Sequence, residues 1–436
     1  MSDAPSRPSS FAEPGFALPG LGLGVATAAT QIEGGNADTN WHRWAAKPGR
    51  IADGSTPARA ADHWERVGQD IALLGELGVK HYRMGLEWAR LEPRPGEFDT
   101  AAVAHYRDEL TRLRQAGIRP LVTLHHFNNP WWFERVGGWE SPSALPTFAR
   151  YVTRVLEELG DLVDDWVTIN EPNVYATKGW LDGQWPPGVT NSFGRTLTVM
   201  QVMATAHVQT YQAIHAAFPQ AQVGVANHLR VFAPQKRWNP VHQLSATSGR
   251  YLFQAALTRA FSQGRFLAPF VQPKGVEPGR YYDFQGINYY TRSSVKGLAD
   301  GVASHVPVND LGWEIYPQGL VEVARWTHQH YPGPIWITEN GTADAADRFR
   351  SRFLYDHLRA IAGSGLPIER FYHWCFTDNF EWAEGEEPRF GLVALDYLTQ
   401  QRTVRDSGRF YADVIAHGGV TAQAHARWVA GQAYPR

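Results

Sequence analysis

Two glutamates stand at the ends of β-type runs, beside residues that restrict or free the backbone. Glu171 follows the run Trp166–Asn170 and precedes Pro172. Proline disfavours the helical region for the residue before it, so we expect Glu171 to stay extended and to hold its carboxylate at the strand end. Glu339 ends a second run, and Gly341 two residues later allows the chain to leave that strand abruptly. Carboxylates held in this way could serve as a general acid and a nucleophile.

These two carboxylates would have to differ in protonation to work as a pair. If their strands end at the same edge of a closed sheet, Glu171 and Glu339 face each other across its axis, which is the arrangement that flanks a scissile glycosidic bond. One must then be protonated as the general acid and the other ionised as the nucleophile. Arg83 lies near the end of another β-type run, and we expect its positive charge to keep Glu339 ionised.

The elements that must position these residues alternate between short β-type runs and longer amphipathic helical runs. No linker, charge block, low-complexity tract or repeat marks a domain boundary, so the 436 residues predict a single α/β domain, a (β/α)8 TIM barrel with elaborated βα loops. The predicted strands are Leu21–Ala26, Val79–Gly85, Arg119–His125, Trp166–Asn170, Gln222–Ala226, Asp283–Asn288, Ile335–Glu339 and Phe371–Trp374. The predicted helices are Ala61–Leu77, Ala101–Ala116, Ser143–Leu159, Leu197–Phe218, Tyr251–Phe261, Gln318–His330 and Phe349–Ala362.

Composition excludes several classes of partner. With 41 Lys and Arg against 43 Asp and Glu, the formal net charge is −2, so no global field would draw the chain to nucleic acid or to a membrane. No apolar run approaches the length of about 18 residues that a membrane span needs. The single cysteine, Cys375, favours a reducing compartment, and we expect a cytoplasmic protein with a flexible leader at 1–15 before the domain at 16–436. We expect neither a cofactor nor a metal ion, and the oligomeric state stays open.

Both glutamate motifs resemble those of a known family, the family 1 glycoside hydrolases. Thr168–Pro172, which reads Thr-Ile-Asn-Glu-Pro, is similar to that family's acid/base motif, and Ile337–Gly341, which reads Ile-Thr-Glu-Asn-Gly, is similar to its nucleophile motif. The likeness extends from about residue 16 to about residue 403. Members of the family are retaining β-glycosidases on a (β/α)8 barrel. The resemblance implies that Glu339 attacks the anomeric carbon and that Glu171 serves as acid and base.

The resemblance also assigns residues to the binding of the sugar. Strand alternation sends His125 and His126 to opposite faces, and the motif implies that His126 is the one facing the sugar. The family's counterparts of Asn288 and Tyr290 steady the region of the sugar's 2-hydroxyl and the nucleophile. The full implied set is Gln31, His126, Asn170, Asn288, Tyr290, Trp374, Glu381 and Trp382.

The segment Trp374–Gly385 resembles the family's glycone platform and bears on the class of sugar. By that likeness Trp374 would stack under the ring, while Glu381 and Trp382 would bond the 4- and 6-hydroxyls. The carboxylate of Glu381 would repel a 6-phosphate. The plant thioglucosidase branch of the family has a glutamine at the position of Glu171. The glutamate in this chain therefore favours ordinary O-glycosides as substrates. We expect an exo-acting enzyme that removes an unphosphorylated β-D-glycosyl residue from a small β-glycoside or an oligosaccharide.

Other interpretations stay open on the residues alone. A metal-dependent barrel hydrolase needs inward ligands such as His-x-His on its first strand, where this chain has Thr27, Ala29 and Gln31. A catalytically silent sugar-binding barrel would share the fold but typically lacks one glutamate. We favour a β-glucosidase, yet β-galactosidase and β-fucosidase stay open because Gln31 and Glu381 could bond either orientation of a 4-hydroxyl. A segment at 263–284 that is short for the family leaves the aglycone undetermined.

Overall fold

The structure is a computed structural model of the chain and describes residues 11–297 and 299–435. Most of the predicted leader, residues 1–10, lies outside the described residues. The following residues contact the domain, since the side chain of Phe11 is buried and the carbonyl of Pro14 accepts a 2.9 Å hydrogen bond from the Tyr355 hydroxyl. That residues 1–10 form a flexible leader therefore stays a prediction.

Within the described residues, eight parallel strands close into a barrel, and each contains or overlaps one of the predicted runs. The strands are β1 (Gly22–Ala26), β2 (His81–Gly85), β3 (Arg119–His125), β4 (Asp165–Asn170), β5 (Gln222–His228), β6 (Gln285–Asn288), β7 (Ile335–Asn340) and β8 (Ile368–Trp374). Their order around the barrel follows the chain, and β8 pairs with β1 to close it. The carboxyl ends of all eight strands consequently lie at one end of the barrel, where barrel enzymes hold their active sites.

An outer layer of helices follows the strands. In the described part of the chain these are α1 (His63–Glu76), α2 (Thr100–Gln115), α3 (Ala144–Leu159), α4 (Phe193–Ala217), α5 (Ala256–Gln263), α6 (Pro317–His330), α7 (Arg350–Ala362) and α8 (Asp406–His417). The sequence pattern does not predict α8, because Gly408 lowers its helix propensity. A Cβ at Gly408 would lie 2.7 Å from the carbonyl oxygen of Leu392, so tight packing requires the glycine. No helix among the described residues is long and apolar enough to cross a bilayer.

Shorter elements elaborate the connections between these strands and helices. Further helices are Ala29–Ile32, Asn40–Ala45, Trp88–Leu91, Trp131–Arg135, Pro172–Ala176, Pro240–Arg250 and Ala422–Trp428. Single turns of 3₁₀ or π type are Gly138–Glu140, Gly160–Leu162, Thr177–Leu181, Tyr251–Ala255 and Trp382–Glu384. Strands outside the barrel are Phe16–Ala17, Val231–Pro234, Arg292–Lys296, Ala299–Gly301, Val393–Leu395, Arg402–Val404 and Gly419–Val420.

The amino end of the barrel is closed by a buried charge cluster. Asp165 is fully buried and accepts hydrogen bonds of 2.5 Å from both Arg119 and Arg370. The guanidinium of Arg370 lies 3.6 Å from the ring centre of Trp336, which in turn stacks on Phe284 with ring centres 3.6 Å apart. A buried carboxylate is tolerated when paired and hydrogen-bonded in this way. Because side chains fill this end, a ligand must approach from the carboxyl end.

Candidate active site

Glu171 and Glu339 lie at the carboxyl ends of β4 and β7 and line the same cavity. The strand pairing is irregular at both places, with register shifts between Val167 and Asn170 and between Ile337 and Glu339. Such irregularities bend a strand and redirect its side chains. Both glutamates are buried, with 6% and 3% of their surface exposed. The two carboxylates therefore share one site and expose little of their surface.

The backbone at Glu171 differs from the extended conformation expected from Pro172. Its φ of +40° and ψ of +59° place it in the left-handed region. Its N–H donates to the carbonyl of Ala226 on β5 at 2.7 Å, and the chain then turns at once into the helix Pro172–Ala176. Proline excludes the right-handed helical region here, and this inter-strand hydrogen bond selects the left-handed one. Such a conformation stores about 1–3 kcal/mol of strain and is frequent at functional sites.

The strand β7 ends at Asn340, just before Gly341, and the close approach of β8, not a left-handed backbone, requires the glycine there. It is absent from the glycines of positive φ in the described chain. A Cβ at this position would collide with the carbonyl oxygen of Trp374 on β8. Any side chain would therefore separate β7 from β8. The glycine lets Glu339 and Trp374 sit side by side in the cavity wall.

Arg83, on β2, connects the ends of β4 and β7. It is fully buried, and its Nη1 donates to Oε1 of Glu339 while its Nη2 donates to Oδ1 of Asn170 at 2.6 Å. The hydroxyl of Tyr290 donates to Oε2 of Glu339 at 2.6 Å. Each oxygen of the Glu339 carboxylate thus has its own donor. This arrangement fixes the orientation of the carboxylate and favours its ionised form.

Burial nevertheless raises the pKa of Glu339 to about 7, and the negative charge of Glu171 acts in the same direction. Arg83 and Tyr290 lower this pKa without offsetting burial. The predicted contact between Arg83 and Glu339 is present, and the charge of Arg83 acts on the pKa of Glu339 in the predicted direction, although burial has the larger effect. Burial, followed by the charge of Glu339, likewise raises the pKa of Glu381 to about 8. Both carboxyls therefore bind a proton more readily than an exposed glutamate does.

Glu171 has different neighbours from Glu339. The amide of Asn288 donates to Oε1 of Glu171 at 2.8 Å and to Oδ1 of Asn170 at 3.0 Å. The ring of His228 places its Nδ1 3.3 Å from the same Oε1. Glu339 is thus contacted by a cation and a phenol, whereas Glu171 is contacted by an amide and an imidazole. Different surroundings of this kind allow two carboxyls of one site to take different roles.

The adjacent histidines at the end of β3 point in opposite directions, as strand alternation predicts. His125 bonds the side chain of Asn129 at 2.9 Å, whereas His126 lines the cavity and accepts a 3.0 Å hydrogen bond at Nε2 from the Asn170 amide. Burial lowers the pKa of His126 well below its ordinary value, so the ring is neutral. Its Nδ1 is then a buried donor without a partner among the described residues. A ligand oxygen could accept this hydrogen bond.

Aromatic rings and polar groups share the cavity wall. His126 stacks with Trp374 and with Trp382, each at 6.0 Å between ring centres. Gln31 donates from Nε2 to Glu381 at 3.2 Å, while its Oε1 is buried without a partner in the described chain. Ring faces beside fixed donors and acceptors suit a ligand with apolar faces and hydroxyl-bearing edges.

These side chains surround a cavity of about 200 Å³. Its volume is below the roughly 300–1,000 Å³ of drug-sized ligand sites, and suits a single small ring. The predicted site residues that line it are His126, Glu171, Tyr290, Glu339, Trp374, Glu381 and Trp382. The others bond to lining residues from behind, and these are Gln31, Arg83, Asn170 and Asn288. Within residues 11–297 and 299–435, no group of three or more His, Cys, Asp or Glu side chains is arranged to hold a metal ion.

A comparison with known families agrees with this geometry. The model of glycosyl hydrolase family 1 matches residues 20–271 and 279–420. The chain belongs to this family. It is therefore a glycoside hydrolase, and the resemblance seen in the glutamate motifs is confirmed. The match is interrupted between residues 271 and 279, within the segment 263–284 that the sequence predicts to be short for the family.

Relatives of this family 1 glycoside hydrolase are similar along nearly its whole length. Beta-glucosidase A of Thermotoga maritima is 31% identical over 434 residues, which cover 91% of this chain and 97% of that protein. A beta-galactosidase of Pyrococcus woesei is 28% identical and covers 91% and 96%. The structure of the T. maritima beta-glucosidase in complex with glucoimidazole has a TM-score of 0.85 at 28% identity, covering 94% and 99%. The TIM-barrel fold is confirmed.

The sequence analysis missed several residues that line the cavity of this glycoside hydrolase. They are His228, Arg230, Lys178, Trp185 and Trp313. The first two follow directly from the predicted strand Gln222–Ala226, so the rule that chemistry lies just beyond strand ends could have found them. Lys178 lies on the π turn that follows the helix Pro172–Ala176. Trp185 and Trp313 stand on loops, where spacing in the sequence carries no information about distance from the barrel axis.

Proposed function

We propose that this family 1 glycoside hydrolase is a retaining, exo-acting β-glycosidase that removes a non-reducing terminal, unphosphorylated β-D-glycosyl residue. β-Glucosides are its expected substrates, and β-galactosides and β-fucosides are the alternatives. One observation carries the proposal: Glu171 and Glu339 line one cavity but have different partners, since Arg83 contacts only the second. The small cavity supports a single sugar ring at the site of cleavage, joined to an alcohol, an aryl group or a further sugar.

In the first step Glu339 is the nucleophile and Glu171 the acid. A carboxylate oxygen of Glu339 attacks the anomeric carbon as the bond to the leaving oxygen breaks, and Glu171 transfers its proton to that oxygen. The product is a covalent glycosyl-enzyme. The donors Arg83 and Tyr290 hold the attacking carboxylate in one orientation, which lowers the entropy lost in reaching the transition state.

In the second step Glu171, now ionised, acts as a base. It takes a proton from a water molecule whose oxygen attacks the anomeric carbon, and the bond to Glu339 breaks. Two inversions at one carbon restore the β configuration. The two carboxyl groups of retaining enzymes lie roughly 5–5.5 Å apart, which leaves no room for water during the first step.

The sugar would occupy the space between the stacked rings and the buried polar groups. Trp374 would lie against the apolar face of the sugar, while Glu381 and Trp382 would bond the 4- and 6-hydroxyls. The Oε1 of Gln31 and the Nδ1 of His126 are buried and lack partners in the described chain, and buried polar groups cost free energy unless bonded. Sugar hydroxyls would supply those partners. Asn170 would bond the 2-hydroxyl.

The glycone is proposed to be unphosphorylated. Glu381 is buried in the cavity, and a phosphate on the 6-position would place two negative charges against its carboxyl group. Those charges would lose their hydration beside a group that offers them no positive charge, and they would repel its ionised form. A β-glycoside 6-phosphate should therefore be turned over far more slowly than the parent glycoside by the purified protein.

The roles of the two glutamates are tested by chemical rescue. Glu339→Ala should abolish hydrolysis of dinitrophenyl β-glucoside, and added azide should yield the α-glycosyl azide because it attacks from the vacated face. Glu171→Ala should keep rapid release of dinitrophenol, whose departure needs no proton, but lose activity on alkyl glucosides. The matched control is Glu157→Ala, which removes an exposed glutamate of α3 that pairs with Arg154 and should keep wild-type rates. A β-glycosyl azide, or no azide product, would contradict the nucleophile role.

Substrate class is tested with nitrophenyl β-D-glycosides of glucose, galactose and fucose. We expect turnover of all three, fastest for glucose. The alternative of a catalytically silent sugar-binding barrel predicts no turnover together with tight binding of glucose or its analogues. Titration calorimetry beside the rate measurement separates these outcomes.

A cytoplasmic location is part of the proposal. It rests on the single cysteine, Cys375, which is fully buried beside the cavity and is not available for an extracellular disulfide. Cell fractionation followed by detection of the protein tests it, and recovery from the medium would contradict it.

A further inference from the structure

His228 ends β5 and faces the cavity beside Glu171. Its Nδ1 lies 3.3 Å from Oε1 of Glu171. Two aromatic rings hold the imidazole in place, since it stacks on Tyr290 at 6.0 Å with an interplanar angle of 14° and meets the edge of Phe253 at 5.9 Å. An imidazole packed between rings cannot rotate freely, so the contact with Glu171 is a fixed feature of the site.

The chemistry of the contact follows from the charge of the ring. Burial lowers the pKa of His228, and the opposing effect of Glu171 does not reverse this, so the ring is neutral. A neutral imidazole has one N–H, and the acceptor at 3.3 Å places it on Nδ1. Its Nε2 is then an acceptor, buried and without a partner among the described residues. The ring can donate to Glu171 in either protonation state of that carboxyl.

Both hydrogen bonds to the Glu171 carboxyl go to the same oxygen. Asn288 donates to Oε1 at 2.8 Å, and His228 approaches that oxygen from a different strand. A proton on Oε1 would compete with both donors for the lone pairs of that oxygen. The two contacts therefore favour the acidic proton on Oε2, the oxygen that is left to meet a leaving group.

We propose that His228 is a positioning residue for Glu171. Its Nδ1–H donates to Oε1, which favours the acidic proton on Oε2. The same hydrogen bond stabilises the carboxylate that forms once Glu171 has given up that proton. This inference rests on the proposed role of Glu171 as acid and base. It adds a residue, contributed by β5, that no glutamate motif contains.

Other charged groups surround the pair without bonding to Oε1. Around Glu171 the titratable neighbours on the packed elements are Glu339, Glu381, Tyr290 and Arg230, and around His228 they are Arg230 and Asp300. Arg230 pairs with Asp300 at 2.9 Å, so its charge is largely neutralised there. A neutral substitution at His228 leaves all these charges in place. Its effect on Glu171 can therefore be assigned to the lost hydrogen bond.

Two variants of equal charge isolate the donor. His228→Leu removes it, whereas His228→Asn keeps a side-chain N–H, because the amide nitrogen of asparagine is attached to Cγ as Nδ1 is in histidine. The readout is the pH dependence of kcat/KM on nitrophenyl β-glucoside. The ionised form of Glu171 is less stabilised without this donor, so H228L should move the basic limb of the pH profile upward by about one pH unit. H228N should keep the wild-type limb.

Either of two results overturns the proposal. One is a wild-type basic limb in H228L, and the other is an equal shift in H228L and H228N. Should H228L fail to fold, ¹⁵N NMR of the wild-type protein labelled at histidine, assigned against H228N, gives an independent answer. The expected state of His228 above pH 7 is the neutral Nδ1–H tautomer, and an Nε2–H tautomer or an imidazolium at that pH overturns the inference.

Failure of this inference is distinguishable from failure of the proposed function. If Glu171→Ala loses activity on poor leaving groups alone while H228L shows no shift, Glu171 is the acid and His228 does not position it. If Glu171→Ala loses activity equally on good and poor leaving groups, the acid role itself fails, whatever His228 does.

Discussion

The hydroxyl of Tyr290 donates a 2.6 Å hydrogen bond to Oε2 of Glu339, while Arg83 occupies the other oxygen of that carboxylate. Tyr290 stands two residues beyond β6, so this bond joins the ends of adjacent strands at the cavity. The same phenol ring stacks on His228, the neighbour of Glu171. Tyr290 thus contacts Glu339 directly and also contacts His228, a neighbour of Glu171.

Tyr290→Phe should lower kcat/KM at pH 7 by about 10–100-fold, the loss expected for one hydrogen bond to a charged group. The acid limb of the pH profile should also move upward, because the phenol stabilises the ionised form of Glu339. The matched control is Tyr289→Phe, whose buried hydroxyl donates instead to the carbonyl of Tyr316 at 2.7 Å. An acid limb that stays in place in Tyr290→Phe, or moves equally in both variants, would count against this role.

The wild-type protein should have an acid limb near pH 7 in kcat/KM. Burial raises the pKa of Glu339 to about 7, so the carboxyl is protonated below that pH and cannot attack; the rate should rise as pH increases through 7. Initial rates on a nitrophenyl glycoside between pH 4 and 9 measure this limb. A limb near the ordinary carboxyl value of 4.5 would contradict it.

Glu381→Gln should harm β-galactosides more than β-fucosides. The two sugars differ only at the 6-hydroxyl, which fucose lacks and which Glu381 is proposed to bond. Exchanging the carboxyl for an amide weakens the hydrogen bond to the 6-hydroxyl, which should cost about 10-fold in kcat/KM on the galactoside and less on the fucoside. Glu384→Gln is the control, since Glu384 also lines the cavity but has no proposed bond to the sugar. An unchanged ratio of the two rates would refute the assignment.

A stability prediction concerns His63, which lies outside the active site. Burial opposes its protonated form, but Glu109 at 3.0 Å and Asp70 at 2.7 Å outweigh burial and raise its pKa to about 10. Since the folded pKa exceeds the ordinary 6.5, its stabilising contribution is complete below pH 6.5 and is lost as pH rises through 10. In that window the free energy of unfolding should fall by about 1.4 kcal/mol per pH unit from this group.

Urea denaturation of the wild type and of His63→Gln, at several pH values from 6 to 10, measures that dependence. Tyrosines and lysines also titrate in this range, so the relevant quantity is the difference between the two proteins. The difference should shrink as pH rises. Parallel stability curves would show that His63 is neutral in the folded protein.

Local sequence determined the barrel and the position of both glutamates. Apolar β-type runs such as Arg119–His125 form strands because each buries both faces, and Glu171 and Glu339 lie at strand ends because they directly follow such runs. The alternation that separates His125 from His126 is equally local, since it depends only on the strand period. Gly408 shows the limit of such reasoning, because the packing that keeps it in α8 involves a residue distant in sequence.

The tertiary structure alone decided how the two carboxyls differ. The left-handed backbone of Glu171 depends on a bond to Ala226, and the pKa of Glu339 depends on how completely the barrel excludes water. His228 meets Glu171 across 57 residues of chain. Hydrogen bonds and desolvation act over a few ångströms in space, and spacing along the chain does not specify distances between side chains on different strands. Residue types and strand ends can therefore be predicted from the sequence, whereas protonation and partners follow from the closed barrel.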